Sequence, residues 1–199
     1  MKRAGGLALL ALALACSRPA PGPARQALEA GRLEKDMRFR TGADSPIPPQ
    51  DRAAFPGLRY FPVDQTYRAE AVLRRVAGKE PLQLASSRGE RREAVRVGRL
   101  EFTLQGQALH LSVFKLLDPD VPPSQLFVPF TDATSGNETY GAGRYLDLEE
   151  HPSDRYVLDF NLAYNPYCAY NPEYDCPFPP RENRLPVPIR AGERVFPEH

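Results

Sequence analysis

The sequence predicts a mainly β protein, an antiparallel β-sandwich or partly closed β-barrel with one N-terminal amphipathic helix and long loops rich in Pro and Tyr. Three observations carry this. Residues 100–104 and 109–113 both alternate apolar and polar side chains, and Gly106 between them can take the positive φ of a tight hairpin turn. The 22 Pro and 14 Gly among 199 residues punctuate the chain at the spacing of short strands. Only one stretch has helical periodicity, so there are no crossover helices from which to build a parallel βαβ sheet.

Taken in order, the chain opens with a segment that reads as an export signal. Lys2 and Arg3 precede an apolar run at 7–15, with small residues before Cys16. The run is too short to span a bilayer, which takes about 20 residues. Cys16 directly after it resembles the lipidated cysteine of a bacterial lipoprotein. The expected organisation is a signal peptide at 1–15, a Pro- and Ala-rich tether at 16–23 and a single β-rich domain at 24–199. Acylation of Cys16 would make the membrane a partner, with the domain lipid-anchored and facing the periplasm or exterior.

Residues 24–40 place Leu28, Leu33, Met37 and Phe39 among Glu, Lys and Arg, the loose pattern of an amphipathic helix, weakened at its centre by Gly31. Ser45-Pro46 and Pro48-Pro49 block any continuation. Phe55, Leu58, Tyr60 and Phe61 follow in an extended segment suited to packing on a core. Strands are expected at 68–76, 82–85 and 93–97, then in the hairpin of 100–104 with 109–113, and again at 126–130, 144–148 and 155–161.

Composition narrows the function classes. A formal net charge of +1 provides no global field for a charged partner. Residues 68–99 hold nine basic against four acidic side chains. Aromatics to stack bases are missing there, and the leader directs the chain out of the cytoplasm, so nucleic acid is not an expected partner. Thr134-Ser135-Gly136 lacks the context of a serine nucleophile and reads as a turn. Three unclustered His do not make a zinc site, and no metal or other cofactor is expected.

The densest chemistry lies between 126 and 194. The run Phe-x-Asp-x-Thr-Ser-Gly-x-Glu-Thr-Tyr-Gly-x-Gly-Arg-Tyr-Leu (130–146), Asp159-Phe160-Asn161 with Tyr164-Asn165-Pro166-Tyr167-Cys168, and Cys176-Pro177 through Glu182-Asn183-Arg184-Leu185 resemble a bacterial family known only as a domain of unknown function, DUF1684. With Ser45-Pro46 and residues 55–62 the resemblance covers roughly 30–194. It implies a shared fold and brings no activity with it.

The residues themselves allow several readings. Period-two alternation puts Arg144 on the core face with Leu146 and Leu148, and Tyr145 with Asp147 on the other. A core-facing Arg needs a counter-ion, from Glu138, Asp132 or Asp159, either as a buried network or as a clamp for an anionic ligand. Glu138 and Asp159 could serve as a catalytic carboxylate pair, or could cap loops. Tyr140, Asn161 and Asn183, with the neighbouring Tyr and Asn residues, could bind a small polar ligand or an envelope glycan, or simply pack a loop. For Cys168 and Cys176, eight residues apart in an exported chain, a disulfide is the default expectation. The leading reading is an envelope lipoprotein with a ligand pocket; a hydrolase and a purely structural protein are the alternatives.

Overall fold

The computed structural model describes residues 23–78 and 81–196. The expected leader, Cys16 and all of the tether except Pro23 lie outside the described residues. The chain forms α1 (Pro23–Thr41), β1 (Arg68–Arg75), β2 (Pro81–Ala85), β3 (Arg91–Leu104), β4 (Gln107–Leu116), β5 (Gln125–Phe130), β6 (Arg144–Glu149) and β7 (Arg155–Asp159). The strands make one antiparallel sheet in the order β6-β5-β4-β3-β1-β7, with β2 also on β3. It is curled into a half-barrel, so the partly closed barrel is the form adopted.

Residues 93–97 and 100–104, read separately from sequence, belong to one strand of 14 residues. Its first half pairs with β2 and its second half with β1, so two short strands share one edge of β3 while β4 runs along the other. The register shifts between Arg96 and Gly98. A Cβ on Gly98 would lie 2.4 Å from the Arg74 carbonyl oxygen, so this bulge admits only glycine.

The larger core fills the inside of the curl. Leu100, Phe102 and Leu104 from β3, Leu109, Leu111 and Val113 from β4, and Leu126, Val128 and Phe130 from β5 meet there, closed by Leu185, Val187 and Ile189 of the C-terminal segment. The opposite face at the β4–β6 end is also covered, by a second cluster of Phe114, Phe127 and Tyr145 with Tyr164. β4 and β5 share only the pair Phe114↔Phe127. The gap is bridged by the buried Asn183. Its Oδ1 accepts the Ser112 N–H at 2.7 Å, and its Nδ2 donates to the carbonyls of Ser112 at 2.9 Å and Pro129 at 2.7 Å. Pro129 has no N–H for a ladder, and the amide supplies the missing link.

α1 docks differently from a simple amphipathic helix. Leu33 and Met37 point outward, 68% and 69% exposed. The docked face is charged. Arg32 donates to the carbonyls of Phe61 at 3.0 Å and Asn161 at 3.3 Å, Lys35 pairs with Glu193 at 2.5 Å, and Asp36 accepts the Leu58 N–H at 3.0 Å. Apolar anchoring comes only at the C-terminal end, where the fully buried Phe39 packs edge-on to Tyr170 at 5.1 Å and beside Phe55 at 6.2 Å. The N-terminal half therefore stands off the sheet. A methyl added at Gly31 meets nothing within 4 Å. Gly31→Ala should raise stability by about 0.5–1 kcal/mol through helix propensity alone, measured by denaturant unfolding.

Candidate functional site

Arg144 opens β6 facing the core, as its alternation requires, and its side chain is wholly buried. Asp132 is the counter-ion, at 3.0 Å. The other Asp132 oxygen accepts the Thr134 N–H at 2.7 Å, its hydroxyl at 2.6 Å and the Ile189 N–H at 3.1 Å. Arg144 also donates to the carbonyls of Ile189, Ala191 and Glu193 at 2.8, 2.5 and 3.0 Å. No face of the guanidinium is open to a ligand, which corrects the reading of Arg144 as an anion clamp. It fastens the C-terminal segment to β6.

The two carboxylates of the expected pair have different partners. Glu138 forms a surface ion pair with Arg190 at 2.8 Å. That guanidinium holds its carboxyl below the usual range. Asp159 ends β7 and caps the short 3-10 turn at Phe160–Leu162, accepting the Asn161 N–H at 3.0 Å. The two acids share no partner, and neither lines the cleft described below. Asn161 sits in that turn, not on the strand, and exchanges two bonds with the Asp64 backbone at 2.8 and 2.9 Å. Asn161 and Asn183 thus join backbone segments, and their amides are occupied by them.

Cys168 and Cys176 are both free thiols, so the expected disulfide is not formed. The Cys168 N–H donates to Cys176 Sγ at 3.2 Å, and Tyr140 Oη lies 3.8 Å from Cys168 Sγ. A hydrogen bond from the Cys176 thiol lowers Cys168 to about 6, while Cys176 is pushed up. The lobe that carries them is stapled to the end of β2 by backbone bonds, Ser87 N–H to the Cys176 carbonyl at 3.0 Å and Phe178 N–H to the Ala85 carbonyl at 2.7 Å. The loop is therefore tied down without a cross-link.

What the structure does assemble is a cleft of about 720 Å³ between α1 and the outer face of β4–β6. Its floor is Leu116, Phe127, Tyr145 and Asp147; one wall is α1 from Ala27 to Arg38, the other the 161–177 lobe. Aromatic rings step across the floor edge to face, Phe127 to Tyr145 at 4.7 Å and Tyr145 to Tyr164 at 5.7 Å. Tyr164 is held there as a one-residue extension of the sheet, exchanging backbone bonds with Tyr145 at 2.9 and 3.1 Å. Its hydroxyl donates to Asp147 at 2.6 Å. Asp147 opens onto the cleft, yet the surrounding protein displaces enough water to raise its carboxyl above the ordinary range, only partly offset by hydrogen bonds from Tyr164 and Gln125.

Glu193 sets the inner end of the cleft. It is buried, and beyond Lys35 it accepts the Asn165 N–H at 2.8 Å and the hydroxyls of Tyr170 at 2.6 Å and Tyr60 at 3.4 Å. Sequence reasoning passed over Glu193 and Lys35, because nothing local marks two residues 158 positions apart as partners. Alternation did place Tyr145 and Asp147 together on the outward face, and the density of Tyr and Asn residues in sequence pointed to Tyr164, Tyr167 and Asn161, which also line the cleft.

A model of a protein family of unknown function, DUF1684, matches residues 53–194. The chain belongs to this family. The solution NMR structure of an uncharacterised protein from Haloarcula marismortui is similar at 40% identity with a TM-score of 0.68, covering 87% of this chain and 95% of that one. No curated protein matches. The family supplies the fold and names no activity.

Two outcomes follow from these contacts. Arg144→Ala leaves Asp132 buried without its cation and should cost about 3–5 kcal/mol in denaturant unfolding, with no dependence on any ligand. For Asp147 the folded carboxyl titrates above the unfolded value of about 3.9, so its contribution to stability is present in acid and is lost as pH rises through the folded pKa. Asp147→Asn should therefore match the wild type in acid and exceed it at neutral pH.

Proposed function

We propose that this DUF1684 protein binds one small, largely apolar ligand in the cleft between α1 and β4–β6. The observation that carries the reading is a cavity of ligand size, about 720 Å³, floored by edge-to-face aromatic rings with a single carboxyl of raised pKa among them. Rings offer flat contact to an apolar body, and Asp147 with the Tyr164 hydroxyl offers one oriented pair of polar atoms. The polar residues that looked like a site in sequence serve as the frame of this one. Glu138 and Asp159, the pair a hydrolase would use, are each engaged outside this cleft, by Arg190 and by the Asn161 turn.

The leader and Cys16 support placement in the cell envelope, with the chain exported and lipid-anchored at a point close to α1. Mass analysis of the mature N-terminus, showing an acylated Cys16 or an unmodified one, decides between anchored and free forms.

Gly31 lies on the cleft wall with open space before it, so Gly31→Phe fills the cleft without disturbing the core. Phenylnaphthylamine, an uncharged fluorophore, should bind the wild type and lose its binding in Gly31→Phe, while the variant melts no lower. Equal binding by both proteins, or none by the wild type, would refute the assignment.

A further inference from the structure

The charges around the cleft are distributed unevenly, and their pairing shows what a ligand would meet. Seven ionisable side chains besides tyrosine and cysteine line it: Arg32, Lys35, Arg38 and Arg92 against Asp147, Asp175 and Glu193. On the lobe side Arg92 is answered by Asp118 at 2.7 Å and Asp175 at 3.6 Å. On the α1 side three cations face one carboxylate. Glu193 answers Lys35. Arg32 is turned into the body, bonded to two carbonyls and stacked over Tyr60 at 4.4 Å.

Arg38 is left. It is exposed, it lines the cleft, and among the described residues it makes no ion pair. Lying three residues beyond Lys35, about 4.5 Å by helix rise, it stands on the same side of the helix as that residue and lines the cleft with it. Its neighbour is the Tyr167 ring of the facing lobe, whose phenol feels its charge.

We propose that the ligand of this cleft is an amphipathic organic anion, with its flat apolar body on Phe127, Tyr145 and Tyr164 and its acid group held by the Arg38 guanidinium. This rests on the cleft being a ligand site. A planar fork with its donors uncommitted matches the two oxygens of a carboxylate or sulfonate. The unbalanced cations of α1 favour an anion over a neutral molecule of the same shape, because low-dielectric walls concentrate the field between them. A cationic ligand is disfavoured on the same grounds. The sole lining carboxylate without a cationic partner is Asp147, one of whose oxygens already accepts the Tyr164 hydroxyl at 2.6 Å.

The test compares two fluorophores with nearly the same aromatic body, anilinonaphthalene sulfonate and uncharged phenylnaphthylamine, on wild type and Arg38→Gln. Arg38 is on the surface of the helix, so the variant keeps the fold, checked by its melting curve. The sulfonate should bind the wild type more tightly than the amine and lose about tenfold in Arg38→Gln, the size expected for one charge-assisted hydrogen-bonding group, with the amine unchanged. Added salt should weaken only the sulfonate. If both fluorophores bind but Arg38→Gln weakens neither, the acid-group assignment is wrong and the cleft stands. If neither binds the wild type, the cleft itself is not a ligand site and both proposals fall.

Discussion

The architecture around the cleft depends on one buried ion pair. Arg144 and Asp132 meet with no exposure of either side chain, and a lone charge at either position would be prohibitively expensive. The terminal nitrogens of Arg144 also reach three carbonyls of the C-terminal segment, at Ile189, Ala191 and Glu193. This fixes the backbone of Glu193, whose side chain then points the other way to hold Lys35, Tyr170 and the Asn165 backbone. A chain of contacts thus runs from the start of β6, through the C-terminal segment, to the wall of the cleft formed by α1.

This arrangement separates two kinds of polar residue. Arg144, Asp132, Asn161, Asn183 and Glu193 are buried, and their hydrogen-bonding groups are directed at backbone or at neighbouring side chains, save the Arg144 Nε, which has no partner among the described residues. Such groups specify a conformation, because every alternative leaves some of them unpaired. Asp147 and Arg38 differ in kind. Both lie on the cleft and retain capacity for a further partner. The aromatic floor beneath them is rigid, since Tyr164 is locked to β6 by its backbone and Tyr145 is anchored by its hydroxyl to the Pro177 carbonyl at 2.5 Å.

Much of the fold was legible because it is local. Alternation located β4 and β6 and put Arg144 inward, a continuous apolar run located β5, and the requirement that a buried Arg be paired put Asp132 among its possible counter-ions. The loss of strand character after Asp159 was not visible, since Tyr156, Leu158 and Phe160 keep alternating while the capping carboxylate turns the chain. The merging of two short strand patterns into β3 was hidden by Gly98, which reads as a break and is a bulge. Glu138 and Arg144 share one dense motif, yet Glu138 lies in the turn before β6 and reaches the surface, while Arg144 opens the strand and faces the core. The cleft itself needs α1 held off the sheet by Arg32, Lys35 and Asp36. That docking is made of charged residues, so no apolar stripe announced it.

The central claim is that the polar motif is a frame and the α1–sheet cleft is the site. Crystals of the folded domain soaked with a mixed set of small aromatic acids, alcohols and amines would test it most directly. The account predicts density over Phe127 and Tyr145, with an acid group turned toward Arg38, and none at the Glu138–Arg190 surface. Compounds gathering around Glu138 or Asp159, with the cleft left empty, would contradict it.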